Sequence, residues 1–139
     1  MNKGISYYEV ACNDYRYFTN YLIIINDEYN NPLAIQAQQI VEKLLKHIVD
    51  VYCLEYDQKE VLRSHKLQSI YTTIRESYPE FVLKRDDLLF LSSFYFDARY
   101  PGVDYIVVDR EDANRCISIV NEVKQSVDAF IKEQDAKVK

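Results

Sequence analysis

The chain has 139 residues, a formal net charge of −5, 48% hydrophobic residues, and only two glycines and three prolines. Its length suits one domain around one core, and so few turn residues exclude an all-β fold, which needs many tight turns built on Gly and Pro. The acidic balance argues against non-specific DNA binding, which calls for a basic face, and leaves room only for a local basic pocket that takes one nucleotide.

The first predicted helix runs from Ser6 to Ile25. Tyr7, Ala11, Phe18, Leu22 and Ile25 are spaced as one helical face, Asp14 interrupts that stripe, and Tyr8 and Tyr15 flank it. Residues 27–31 read as a polar turn. Asn30 or Asn31 can then cap a second helix, with Pro32 suited to its first helical position. Leu33, Ala37, Ile40, Val41, Leu44, Ile48 and Val51 give this helix an apolar stripe, and Gln36, Gln39, Lys43 and Lys46 give it a polar face. The segment from Cys53 to Ser64 reads as a loop with some helical turn.

Ser64 is the expected cap of a third helix, on which Leu67, Ile70, Tyr71 and Ile74 share a face before Pro79. Residues Asp86 to Tyr95 are nearly continuously apolar, as in a buried helix or strand. A lone strand would lack a partner, so a helix is expected. Pro101-Gly102 breaks the chain, and Tyr105–Val108 is read as an extended connector. Asp109 caps the last helix, whose stripe is Ala113, Cys116, Ile117, Val120, Val123, Val127 and Ile131; the tail from Lys132 is expected to fray. The expectation is thus a single domain over residues 1–139, an all-α, antiparallel up-and-down bundle of about five helices. The 13 tyrosines, beside six Phe and no Trp, suit the rim of such a core, where their hydroxyls find partners.

Cys12, Cys53 and Cys116 form no C-x-x-C pair and cannot join His47 and His65 in a zinc-like spacing, so no metal or cofactor is expected. The start of the chain has no apolar signal-type segment and no apolar run approaches about 18 residues, so a cytoplasmic protein without membrane spans is expected. Asp86-Asp87 and Glu111-Asp112 are paired acids, but both pairs sit at predicted helix starts, where the helix dipole favours them. No Gly-rich phosphate loop or nucleophile elbow occurs.

Three stretches resemble the HEPN family of helical domains. Ala37-Gln-Gln-Ile-Val-Glu-Lys-Leu-Leu-Lys46 is similar to the second helix with its Gln-x-x-Glu-Lys-x-x-Lys pattern. Ser64-His-Lys-Leu67 is similar to the Thr/Ser-His-x-Leu start of the third. Asp97-Ala-Arg-Tyr-Pro101, followed by Glu111-Asp-Ala113, is similar to the Arg-Tyr-Pro turn and the final helix. The resemblance spans about residues 5 to 131. It implies a bundle of about five helices, often dimeric, and often encoded beside a minimal nucleotidyltransferase. Some members are metal-independent RNase toxins with an Arg-x(4–6)-His motif at the dimer seam. That motif fails here: positions 40–42 before His47 are Ile, Val and Glu, and positions 58–60 before His65 are Gln, Lys and Glu.

The expected function is therefore a nucleotide- or substrate-binding module, homodimeric or paired with a minimal nucleotidyltransferase, without catalytic residues of its own; the balance is against an enzyme. The alternatives are a toxin-type RNase with a degenerate site, using His65 with Arg63 or Arg99, and a purely structural homodimer. The nucleotide-binding candidates are Lys43, Lys46, Arg63, His65, Arg99 and Tyr100. Arg63, His65 and Lys66 cluster at a helix start, which attracts anions. Arg99 can clamp a phosphate and Tyr100 can stack on a base. Each has a plainer reading as well: solvated lysines, a histidine packing the helix start, and an Arg-Tyr pair locking the turn.

Overall fold

The structure is a computed structural model that describes residues 4–21, 30–54, 58–102 and 104–138. Among these residues the regular structure is entirely helical: α1 (Tyr7–Tyr21), α2 (Asn31–Tyr52), α3 (Lys59–Arg63), α4 (Leu67–Ser77), α5 (Arg85–Ser92), α6 (Phe94–Asp97) and α7 (Arg110–Lys137). The five longer helices are those expected from the apolar spacing. The two short ones lie in the Cys53–Ser64 connection and at the end of the apolar run after Asp86. Leu22 and Ile25 of the first stripe, and most of the turn that follows, lie outside the described residues.

The helix starts show how local sequence is used. Asp109 caps α7 as expected, its carboxylate accepting from the Asp112 backbone N–H at 2.8 Å. Asn30 holds the cap position of α2, but its side chain does not cap. Asn31 is buried and turned away from the helix axis. Its amide donates to the carbonyls of Ala98 and Ile106 at 3.0 and 2.7 Å and to the Tyr105 hydroxyl at 3.1 Å, and its oxygen accepts from the Val108 N–H at 2.9 Å. These bonds satisfy the extended 105–108 connector without a strand partner. Ser64 does not cap the helix after it either. Its hydroxyl accepts from the Lys66 N–H, and the first N–H of α4, that of Leu67, donates instead to Ser92 Oγ at 2.9 Å.

Contacts between side chains give the helix directions. Asp14 meets Lys43 and Tyr8 meets His47, so α1 runs antiparallel to α2. Arg85 meets Thr72 while Ser92 meets Gln68, so α5 runs antiparallel to α4. Arg115 meets Asp87 and Lys84 meets Glu122, so α7 runs antiparallel to α5. The alternation skips once. Gln38 lies by His65 and Tyr52 by Tyr78, so α2 and α4 point the same way, and the α3 segment carries the chain back between them.

The centre of the bundle is α2, packed by α1, α4, α5, α6 and α7. Its Ala34, Ala37, Ile40, Val41, Leu44, Leu45, Ile48 and Val49 are buried, with Leu67, Ile70, Tyr71 and Ile74 of α4 and Ala113, Cys116, Ile119, Val120, Val123, Val127 and Phe130 of α7. Two expectations are corrected here. Val51 is exposed, because the last turn of α2 reaches past the core. The polar face expected to be solvated is partly inside: Lys46 is 5% exposed, and Gln38, Glu42 and His47 are buried beside it. A helix with neighbours on every side must bury its polar residues too, and they persist by bonding one another. The expected frayed tail is also revised, since α7 stays helical to Lys137, with Asp135 accepting from the Tyr52 hydroxyl at 2.8 Å.

Candidate functional site

Gln38, Glu42 and Lys46 are four apart on α2 and therefore lie one above another on a single stripe. Lys46 Nζ donates to Glu42 Oε2 at 3.0 Å, and Gln38 Nε2 donates to Glu42 Oε1 at 3.0 Å and to the His65 carbonyl at 3.3 Å. The stripe ends at His65, whose Nδ1 lies 3.0 Å from the same Glu42 Oε1. A carboxylate can only accept, so Nδ1 carries the proton of that bond. In the neutral ring, Nε2 then has its lone pair available. This is the arrangement by which a buried carboxylate fixes an imidazole's tautomer and orientation.

His65 is also held from the side. Its ring stacks on Tyr95 of α6, 4.0 Å between centroids and 12° from parallel, and the Arg99 guanidinium lies 4.5 Å from the centre of the same tyrosine ring. Beside this stack is a surface recess of ≈ 280 Å³ lined by His65, Lys66, Gln68, Leu89, Ser92, Ser93 and Tyr95. His65 is the member that bridges the interior and the surface, with a side chain 41% exposed. A second recess, ≈ 230 Å³, lies between Val82–Leu88 and α7; apolar residues line it with Lys84, Asp87 and Glu122, and none of the candidate residues reaches it.

The family model for HEPN domains matches residues 7–130, nearly the whole chain and every element just described. The chain belongs to the HEPN family. No curated protein and no solved structure matches it.

Within this HEPN domain the six sequence candidates separate. Arg63 ends α3 two residues before His65, is exposed, and makes no hydrogen bond or ion pair among the described residues. His65 and Arg99 meet through Tyr95, and Tyr100, next to Arg99, is 66% exposed. The two lysines fall away. Lys43 pairs with Asp14 at 2.5 Å on the α1 side of the bundle, and Lys46 is buried against Glu42. Charges already neutralised by a carboxylate have little left to offer a phosphate.

Sequence reasoning missed Glu42, Gln38, Tyr95, Gln68 and Ser92. Glu42 stood in the sequence only as part of the Gln-x-x-Glu-Lys-x-x-Lys stretch, with no role of its own. Its signal was present, since three polar residues four apart on a helix otherwise rich in Leu, Ile and Val mark a buried polar stripe. Tyr95 stood inside an apolar run, and Gln68 and Ser92 are joined only by the fold, with no local pattern to mark them.

The other histidine of the HEPN domain has a different setting. His47 is buried between the rings of Tyr8 and Tyr52, at centroid distances of 5.4 and 6.1 Å, and its Nδ1 is buried without a hydrogen-bond partner. Burial lowers its proton affinity, partly opposed by the field of Asp50, Asp135 and Glu9. Among the described residues no helix is long and apolar enough to cross a membrane.

Proposed function

We propose that this HEPN domain is a cytoplasmic nucleotide-binding module whose site is the His65–Tyr95–Arg99 face at the start of α4, flanked by Arg63 and Tyr100. The observation that carries the reading is the ordered chain Glu42–His65–Tyr95–Arg99, in which an imidazole and a guanidinium are both fixed against one ring at the edge of a recess. A guanidinium held in place suits a phosphate, since little freedom is lost when it binds. Among the described residues no cluster of acids, His or Cys could hold a metal for phosphoryl chemistry. In this reading catalysis belongs to a partner, a minimal nucleotidyltransferase as is frequent in the family, and the bundle holds the substrate, alone or as a homodimer.

A thermal-shift titration against nucleoside mono- and triphosphates tests it, with inorganic phosphate as control. Binding raises the melting temperature with concentration. The rise should vanish in Arg99→Ala and His65→Ala but persist in Lys43→Ala, whose side chain is engaged by Asp14. No shift at millimolar nucleotide would reject the reading.

One observation favours a second reading, RNA cleavage. The Glu42–His65 pair has the geometry of an oriented general acid or base, with Nε2 directed away from its carboxylate. It departs from the family's RNase motif, because the arginine beside the imidazole is Arg99, far along the chain, and contacts it only through Tyr95. RNA cleavage by the wild type that is lost in both His65→Ala and Glu42→Gln would support this reading; cleavage unchanged in either would end it.

A further inference from the structure

Resting on the nucleotide-binding reading, the hydrogen bonds around the recess go further and define which bases it accepts. The starting point is the first turn of α4. The Leu67 N–H donates to Ser92 Oγ at 2.9 Å, so Ser92 has its own proton free, and it donates that proton to Gln68 Oε1 at 2.9 Å. The chain of bonds orients the Gln68 amide. Its oxygen is taken by Ser92, and what it can present to the recess is its NH₂ group, a pure donor. Ser93 has the opposite character. Its hydroxyl proton goes to the Phe90 carbonyl at 2.7 Å, so only lone pairs remain for a ligand. Leu89, 51% exposed, supplies an apolar surface among these polar groups.

Size limits the occupant. Sites for drug-sized ligands run from about 300 to 1,000 Å³, and this recess, at ≈ 280 Å³, is smaller. That volume suits a single flat ring system, whose sugar phosphate would lie outside, toward His65 and the Tyr95–Arg99 pair.

We propose that the recess is a nucleobase subsite selective for bases that carry an adjacent carbonyl and ring N–H, which among the RNA bases are guanine and uracil. The Gln68 NH₂ donates to the base carbonyl, and the Ser93 oxygen accepts from the ring N–H. Adenine and cytosine present an amino group beside a bare ring nitrogen, the reverse pattern. Held in the same orientation, they leave the Gln68 donor facing a donor and the Ser93 acceptor facing an acceptor. A site built on hydrogen bonds rejects a ligand that leaves its polar groups unpaired more strongly than shape alone would.

The test is isothermal titration of the purified full chain with GMP, UMP, AMP and CMP in parallel, together with Gln68→Glu. That variant keeps an oxygen to accept from Ser92, so the α4 start is preserved, and it replaces the donor with an acceptor. GMP and UMP should bind at least about tenfold more tightly than AMP and CMP, and Gln68→Glu should erase or invert the preference. Four equal affinities that are all lost in Arg99→Ala would overturn the base subsite and leave the nucleotide-binding reading standing. A preference for AMP or CMP would also overturn the subsite. No binding of any of the four would overturn both.

Discussion

The two histidines of this domain both lie against tyrosine rings on the same central helix or beside it, yet they are held in opposite ways. His65 is bonded by a carboxylate, stacked on Tyr95 and open to solvent at one edge. His47 is enclosed between Tyr8 and Tyr52, and no carboxylate bonds it, although acids are near. The Tyr8 hydroxyl donates to Asp128 and the Tyr52 hydroxyl to Asp135, both at 2.8 Å. Of the acids whose field reaches His47, Asp135 is bonded by the Tyr52 hydroxyl, and the imidazole is left with its rings. The difference teaches that whether a carboxylate reaches the imidazole decides how a histidine is held, and neighbouring sequence does not announce it.

The comparison can be broken most severely at Lys46. Breaking a buried ion pair costs about 3–5 kcal/mol; Glu42 keeps Gln38 and His65 as partners, so Lys46→Ala should fall at or below the low end of that range in urea unfolding. Next in size is His65→Ala, which trims a half-exposed ring. It should cost about 1 kcal/mol of stability, within the usual range for a single lost side-chain bond, while nucleotide affinity falls at least about tenfold. A large stability loss with affinity intact would reverse the roles assigned to the two histidines.

The pH dependence sharpens the contrast from the other side. Burial holds His47 below its ordinary value of 6.5 in the folded state, so the unfolded chain takes up the proton first as pH falls. The stability that neutral His47 contributes is complete above about 6.5 and is lost as pH drops through the window below it. His47→Phe should flatten the fall in melting temperature over that window, whereas His65→Ala should leave the His47 component in place. The smallest effect belongs to the surface: Lys43→Ala breaks a partly exposed pair and should change stability by less than about 1 kcal/mol. The thiols give a separate check on burial. Cys116, pushed up to about 12 chiefly by burial, should resist alkylation of the native protein, while Cys12, less buried, reacts first.

The helices were legible in the sequence because apolar spacing is a local signal. Ala113, Cys116, Val120 and Val127 could be placed on one face without knowing what lay opposite, and Asp109 could be named as a cap from its own neighbourhood. The α2 start was half legible. Pro32 marked it, but Asn31 spends its side chain on residues 98 to 108, a connection that only the folded chain makes. Of the proposed face, His65, Arg63 and the Arg99-Tyr100 pair stood out in the sequence by their place at turns. Lys46 was readable from the four-residue spacing of Gln38, Glu42 and Lys46 on α2, whereas Lys43 faces Asp14 of another helix, which no spacing within α2 marks. The recess was invisible for the same reason, since Gln68 and Ser92 are 24 positions apart.

One feature of the fold reaches beyond the site. From Leu33 to Val49 the central helix shows water only parts of Ile35, Gln36, Gln39 and Lys43. The peptide groups of such a rod cannot be reached by local fraying, so its amide hydrogens exchange with solvent only when the surrounding helices come away together. Unfolding is then a single cooperative event, and the slowest-exchanging amides of α2 read out the global stability of the domain. Nucleotide that binds the native state at the start of α4 should slow exchange along the whole length of α2, including turns more than a helix diameter from the ligand.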